Sequence, residues 1–212
     1  MDKLTEKVIC QVPQDIFTDR DLVNLFGESA GSRYGLVKRA CARQGIIRVK
    51  RGLYCLAPPH QRRTLNLYQL AQNIYGPSYV SMESALSYHG WIPEAVHSVT
   101  MACMKKSKDF VTPLGAFNFK RIPVRVFYSE VERVSSDNGE AFLMARPLKA
   151  LSDYVYAHKQ DWKGLDPVIK SLRIEPDSLE GVSKEELDSL REAYQSNRVQ
   201  RFIKGVKRGL KL

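Results

Sequence analysis

Residues 18–56 read TDRDLVNLFGESAGSRYGLVKRACARQGIIRVKRGLYCL, and the order of signals in them decides the fold. Thr18 and Asp21 make a capping box, a hydroxyl at the N-cap and a carboxylate three residues on, so a helix opens here. Leu22, Val23, Leu25 and Phe26 give that helix an apolar side, and Gly27 ends it with a left-handed turn. After a connector over 28–31, Ser32 is placed to cap a second helix running to about residue 44, with Gly45 as its stop. Two β-rich runs follow at 46–49 and 53–56, joined by Lys50-Arg51-Gly52 with glycine at the tight position. A short helix is expected over 3–11. Helix, turn, helix, hairpin is the order of a winged helix-turn-helix.

The second helix has the composition of a helix that reads DNA. An α-helix fits the major groove of B-DNA if one face is apolar and held, and the other is polar or small and free to enter. At 100° per residue, Leu36, Val37, Ala40 and Cys41 fall on one side, and Gly35, Lys38, Arg39 and Ala42 on the other. Gly35 and Ala42 permit close backbone approach, and Lys38 and Arg39 reach phosphates or base edges. Arg43 lies at the flank. Arg33 falls toward the apolar side of an ideal wheel, in a first turn where it can point off the helix end. Ser32 and the free N–H groups of the helix start suit a phosphate. In the hairpin, Arg48 and Lys50 share a face on a regular strand, with Arg51 in the turn. The candidate DNA-binding set is therefore Ser32, Arg33, Lys38, Arg39, Arg43, Arg48, Lys50 and Arg51.

Charge placement supports this reading. Between Ser29 and Arg63 stand nine basic residues and no Asp or Glu. The whole chain, 212 residues with a formal net charge of +10, points to an anionic partner, nucleic acid first and an anionic membrane surface second. No apolar run approaches the roughly 18–20 residues that span a bilayer, and residues 1–13 lack a signal-peptide core. A cytoplasmic protein with no membrane partner is expected. Cys10, Cys41, Cys55 and Cys103 are scattered without a C-x-x-C pair, which favours free thiols over disulfides.

Beyond the hairpin, residues 58–63 carry two prolines and no apolar side chain, and read as a linker. Helices are expected over 65–75, 82–89 and 147–160, and one more from about residue 183, where Ser183 and Glu186 repeat the capping box. Strands are expected over 98–104, 117–122, 124–128 and 140–145. The fold class is α+β: a winged helix-turn-helix over 1–57, then a larger mixed α/β domain over 64–212. A second basic run, from Arg198 to Lys211, again without an acid, either adds DNA contacts or forms a solvated helix face.

No residue pattern points to an enzyme, a cofactor or a metal. His60, His89, His97 and His158 have no ligand spacing with cysteines or carboxylates. Residues 137–140, Asp-Asn-Gly-Glu, make a polar turn as readily as a nuclease site. Ser81 and Ser84 read as helix caps. Lys149 and Asp153, four apart on a helix, read as a surface ion pair of small value, with a role in the second domain as the alternative. Tyr79 and Trp91 read as core. Two other functional classes stay open: a metal-dependent nuclease targeted by the winged helix, and a stand-alone regulator whose second domain senses a ligand or protein.

The run Gly45-Ile46-Ile47-Arg48-Val49-Lys50-Arg51-Gly52-Leu53-Tyr54 resembles the wing of the AbiEi antitoxin family. Residues 79–93, YVSMESALSYHGWIP, are similar to the family's next block. Thr112-Pro113, Gly115, Phe117 and Phe119, and then residues 146–153, RPLKALSD, fit the stretches after that. The likeness covers roughly residues 15–160. It implies an antitoxin of a type IV toxin–antitoxin system linked to abortive phage infection. On that likeness the winged helix binds inverted repeats in its own promoter as an autorepressor. The second domain counters a nucleotidyltransferase-like toxin without a stable complex.

Overall fold

A computed structural model of the chain describes every residue except 28, 95, 123, 124, 126 and 136–140. The fold is α+β with two sheets among the described residues. Its contacts divide it into two compact units, residues 1–74 with 111–114 and residues 75–110 with 115–212. No helix among the described residues is long and apolar enough to cross a membrane.

In the first unit the order is α1 (Lys3–Gln11), β1 (Ile16–Thr18), α2 (Asp19–Phe26), α3 (Ala30–Ala42), β2 (Ile46–Lys50) and β3 (Leu53–Leu56). The strands form an antiparallel sheet in the order β1-β3-β2. Strand β1 was not expected; three residues are too few to show a period. It is fixed by tertiary pairing, Ile16 to Cys55 and Thr18 to Leu53, and Phe17 stacks on Tyr54 at 5.6 Å. Leu4, Val8, Phe17, Leu22, Val37, Ala40, Ile46 and Leu56 make one buried cluster, so each of α1, α2, α3 and the sheet contributes its apolar face. Asp2 opens α1: its carboxylate accepts the N–H groups of Leu4 and Thr5 at 3.1 Å and the Thr5 hydroxyl at 2.7 Å. Burial alone would raise the Asp2 carboxyl, but these donors outweigh it and hold the group below its ordinary value.

The helix ends around α3 differ in detail from expectation. The Thr18 capping box is present, with Asp21 accepting the Thr18 N–H at 2.7 Å and its hydroxyl at 2.8 Å. Gly27 has φ 81°, as a positive-φ helix end requires. Helix α3, however, starts at Ala30 behind Ser29, so Ser32 lies within its first turn and is not its cap. At the other end the left-handed residue is Gln44, φ 55°, and not Gly45. Gly45 answers a different constraint: a Cβ there would stand 2.1 Å from Thr5 Oγ1 and 2.8 Å from Asp2 Oδ2. The linker region is also tied down. Pro58–His60 form a 3₁₀ turn, and Arg62 pairs with Asp15 at 2.7 Å while donating to the carbonyls of Ile9 and Val12. Helix α4 (Leu67–Ile74) follows.

The second unit is built on a six-stranded sheet in the order β6-β7-β5-β4-β9-β8. The strands are β4 (Ser78–Val80), β5 (Ser98–Cys103), β6 (Lys108–Thr112), β7 (Gly115–Arg121), β8 (Val131–Ser135) and β9 (Ala141–Ala145). β5 and β7 run parallel, as do β4 and β9; β4 with β5 and β8 with β9 are antiparallel. Strands β6 and β8 were unforeseen, being half-exposed and charged. The strand expected over 124–128 is not found: Arg125 lies in a bend and Phe127 and Tyr128 in a turn, while 124 and 126 lie outside the described residues, as do 136–140. The helices are α5 (Met82–Tyr88), α6 (Pro147–Ala157), α7 (Leu165–Leu172), α8 (Lys184–Ala193) and α9 (Asn197–Gly209). The single C-terminal helix expected from residue 183 is two helices. Ser183 does cap α8 through the Glu186 N–H at 3.1 Å, but Tyr194 takes extended backbone and breaks the run. Helix α9 packs closely at Gly205, where a Cβ would lie 1.9 Å from the Lys163 carbonyl oxygen.

Candidate functional site

Helix α3 is held by Val37 and Ala40, which are buried, and leaves Ser32, Lys38, Arg39 and Ala42 exposed. It contains Gly31 and Gly35, which weaken a helix by up to about 1 kcal/mol each relative to alanine. Neither is demanded by packing. A Cβ at Gly31 would meet nothing within 4 Å, and at Gly35 only the tip of Arg39 at 3.5 Å. The outer face of the helix is therefore thin as well as basic.

Between α3 and the β2–β3 hairpin runs a groove of about 800 Å³. Arg33, Tyr34, Lys38, Arg48 and Arg51 line it, together with Tyr54 and Asp19. Asp19 is the one acid among the described residues that line it, and the Tyr54 hydroxyl donates to it at 3.0 Å. Burial first, and then this bond to a carboxylate, push the Tyr54 phenol up to about 12. Lys38, Arg39, Arg43, Arg48 and Arg51 are exposed, and no carboxylate among the described residues pairs with any of them.

Two of the expected site residues are engaged elsewhere. Arg33 is half-buried and donates to the Gly27 carbonyl, where it caps the end of α2. Lys50 is half-buried and donates to the Ile74 carbonyl. The expectation that Arg48 and Lys50 share a face assumed a regular strand. The pairing shifts between them, Arg48 opposite Tyr54 but Lys50 opposite Leu53, and such an irregularity turns the side chains apart. Tyr34 was missed. It is 67% exposed on α3, four residues before Lys38 and so beside it on the helix face. That spacing was the available signal.

The second unit gathers a different set. Tyr79, Ser81, Lys149 and Asp153 are 0% exposed and Tyr194 is 2%. Asp153 accepts from the Tyr79 hydroxyl at 2.9 Å, from Ser81 at 2.7 Å, and from Tyr194. Lys149 Nζ lies 3.3 Å from Asp153 and donates to the Tyr194 oxygen at 2.9 Å, 4.5 Å above that ring's centroid. Lys149 and Asp153 are thus not a surface pair but a sealed one. Burial pulls the Lys149 ammonium below its ordinary value against the pull of Asp153. It also pushes the Tyr79 and Tyr194 phenols well above theirs. With no exposed atom to meet a substrate, this network fastens α6 and the residue after α8 to β4. Ser81 sits at the N-cap of α5, as expected, but its hydroxyl serves Asp153. The start of α5 is capped instead from β5: Thr100 Oγ1 accepts the Ser84 N–H at 2.9 Å and donates to the Ser81 carbonyl at 2.7 Å.

The remaining candidates do not converge. His89 lies 3.0 Å from the Ala145 carbonyl at the end of α5, and His158 lies 3.1 Å from Glu83. Among the described residues no group of three or more His, Cys, Asp or Glu is placed to hold a metal. The four cysteines are unpaired, with Cys55 and Cys103 buried, Cys41 half-buried and Cys10 exposed. No protein-family model matches the chain, and no curated protein does.

Proposed function

We propose that the first unit is a winged helix-turn-helix that binds duplex DNA, with α3 in the major groove and the β2–β3 hairpin as the wing. The observation that carries this reading is the set of five exposed cations without a paired carboxylate, Lys38, Arg39, Arg43, Arg48 and Arg51, on one helix and one hairpin that border a common groove. The order α1-β1-α2-α3-β2-β3 with its β1-β3-β2 sheet supports it. So does the thin face at Gly31 and Gly35, which lets the helix backbone approach base edges. Arg39 and Lys38 contact the DNA from α3, and Arg48 and Arg51 reach the backbone or the minor groove from the wing. Tyr34 offers a ring to a thymine methyl or a sugar. Arg33 and Lys50 act as struts.

On its resemblance to the AbiEi family, the protein is an autorepressor on inverted repeats of its own promoter. On the same ground its second domain opposes a nucleotidyltransferase-like toxin. A gel shift on the chain's own upstream region, with competitor DNA at two salt concentrations, tests the DNA reading. The expected complex resists competitor and weakens with salt, each phosphate contact contributing about 0.9 to the logarithmic slope. Lys38→Ala with Arg39→Ala should weaken it by at least about tenfold at unchanged fold stability. Retention of specific binding by that variant would remove α3 from the interface.

A further inference from the structure

The second unit contains a cavity of about 540 Å³ whose lining, among the described residues, is basic without an acid. Four cations meet there from three separate parts of the chain: Lys120 and Arg121 at the end of β7, Lys159 just past α6, and Arg198 in the first turn of α9. Lys120 pairs with Asp109, outside the cavity, at 3.8 Å; Lys120 is half-buried and Asp109 exposed, so solvent screens the attraction. Arg198 keeps Nε buried with no hydrogen-bond partner among the described residues.

Neutral donors complete the lining. Ser107 Oγ accepts the Arg121 N–H at 2.9 Å, which orients the hydroxyl and leaves its hydrogen free to donate. Tyr156 lines it from α6. Ser196, the N-cap of α9, lines the cavity and makes no side-chain capping bond, so the positive end of a 13-residue helix adds to the field. The opposing helix end is muted. At the end of α6 the carbonyls of Val155 and Tyr156 are already taken by the N–H groups of Gln160 and Lys159.

We propose that this cavity binds a phosphate group. Two arginine forks, two ammonium groups and hydroxyl donors around a space of this size match a tetrahedral polyanion better than a single carboxylate. The cavity has the volume of a small-ligand site. A terminal phosphate of a nucleic acid or the phosphates of a free nucleotide supply the same chemistry. The site is independent of the DNA-reading helix.

Calorimetric titration of the full chain with inorganic pyrophosphate tests this. The expected result is saturable binding at one site, weakened at least about tenfold by Arg121→Ala with Lys159→Ala. Both of those side chains are exposed, so the variant should melt like the parent. Lys204→Ala with Arg208→Ala, in the other basic groove along α9, and Lys38→Ala with Arg39→Ala in the first unit should leave the titration unchanged. Saturable binding lost in either of those controls, undiminished in the Arg121/Lys159 variant, or absent from the parent would overturn the proposal. ATP and a short 5′-phosphorylated duplex then identify the source: whichever competes pyrophosphate out at the lower concentration carries the natural phosphate.

Discussion

Lysine and arginine do opposite work in the two units. In the first, Lys38, Arg39, Arg43, Arg48 and Arg51 stand in solvent without a carboxylate partner among the described residues. Exposed charges of this kind add little to stability and are available to a partner. In the second, Lys149 is sealed at 0% exposure with Asp153 and two tyrosines, where removing either charge leaves the other in a medium that cannot solvate it. The same residue type is a proposed binding element in one place and a fastening in the other. What decides is whether the chain supplies the counter-charge itself.

The sharpest way to break this contrast is Asp153→Ala. It removes the common acceptor of Tyr79, Ser81, Tyr194 and Lys149 together, and should cost about 3–5 kcal/mol in denaturant unfolding. Lys149→Met should cost less, because Asp153 keeps its three hydroxyl donors. A larger loss for Lys149→Met would mean that the ammonium, not the carboxylate, organises the network.

The helical glycines sharpen it at the next level. Gly205→Ala drives a Cβ into the Lys163 carbonyl, a backbone atom that cannot swing aside, and should cost about 1–3 kcal/mol. Gly35→Ala in α3 meets only a flexible arginine tip and should stabilise the fold by about 0.5–1 kcal/mol. On the proposed interface the same change weakens DNA binding. Paired melting and gel-shift measurements of Gly35→Ala check both signs. A gain in stability with undiminished binding would take Gly35 out of the contact surface.

The first unit was largely legible because its signals are local. A capping box, a positive-φ glycine and a hairpin turned at a glycine each depend on a few neighbouring residues, and Thr18, Gly27 and Gly52 all take their expected roles. What escaped there depends on contacts far along the chain. β1 exists only through its pairing with β3, Gly45 answers to Asp2 and Thr5, and Lys50 turns to Ile74. In the second unit the four-residue spacing of Lys149 and Asp153 says that they are neighbours but not on which side of α6 they lie. Their burial depends on Tyr79, 70 positions before Lys149, and Tyr194, 45 after it, which no local pattern connects. The basic cavity was illegible for the same reason, since its cations come from residues 120, 121, 159 and 198.

The smallest expected effect lies where the two kinds of charge chemistry meet, at Tyr54. Its phenol is buried and donates to Asp19, and the residue lines the cationic groove. Folding raises its ionisation to about 12, above the unfolded value near 10. A raised value means that the neutral phenol's contribution is fully present below the unfolded value and is lost as pH climbs from about 10 through 12. The difference in unfolding free energy between the parent and Tyr54→Phe should be constant from neutral pH to about 9, then shrink by well under about 1 kcal/mol by pH 10. Tyr79 and Tyr194 cancel from that difference because both proteins retain them. A difference that stays flat to pH 11 would show that the Tyr54 hydroxyl is neither shut away from water nor held by Asp19, leaving an unpaired carboxylate in a groove proposed to receive phosphates. DNA binding should then improve in Asp19→Asn; with the bond in place, removing that charge should release Tyr54 and help far less.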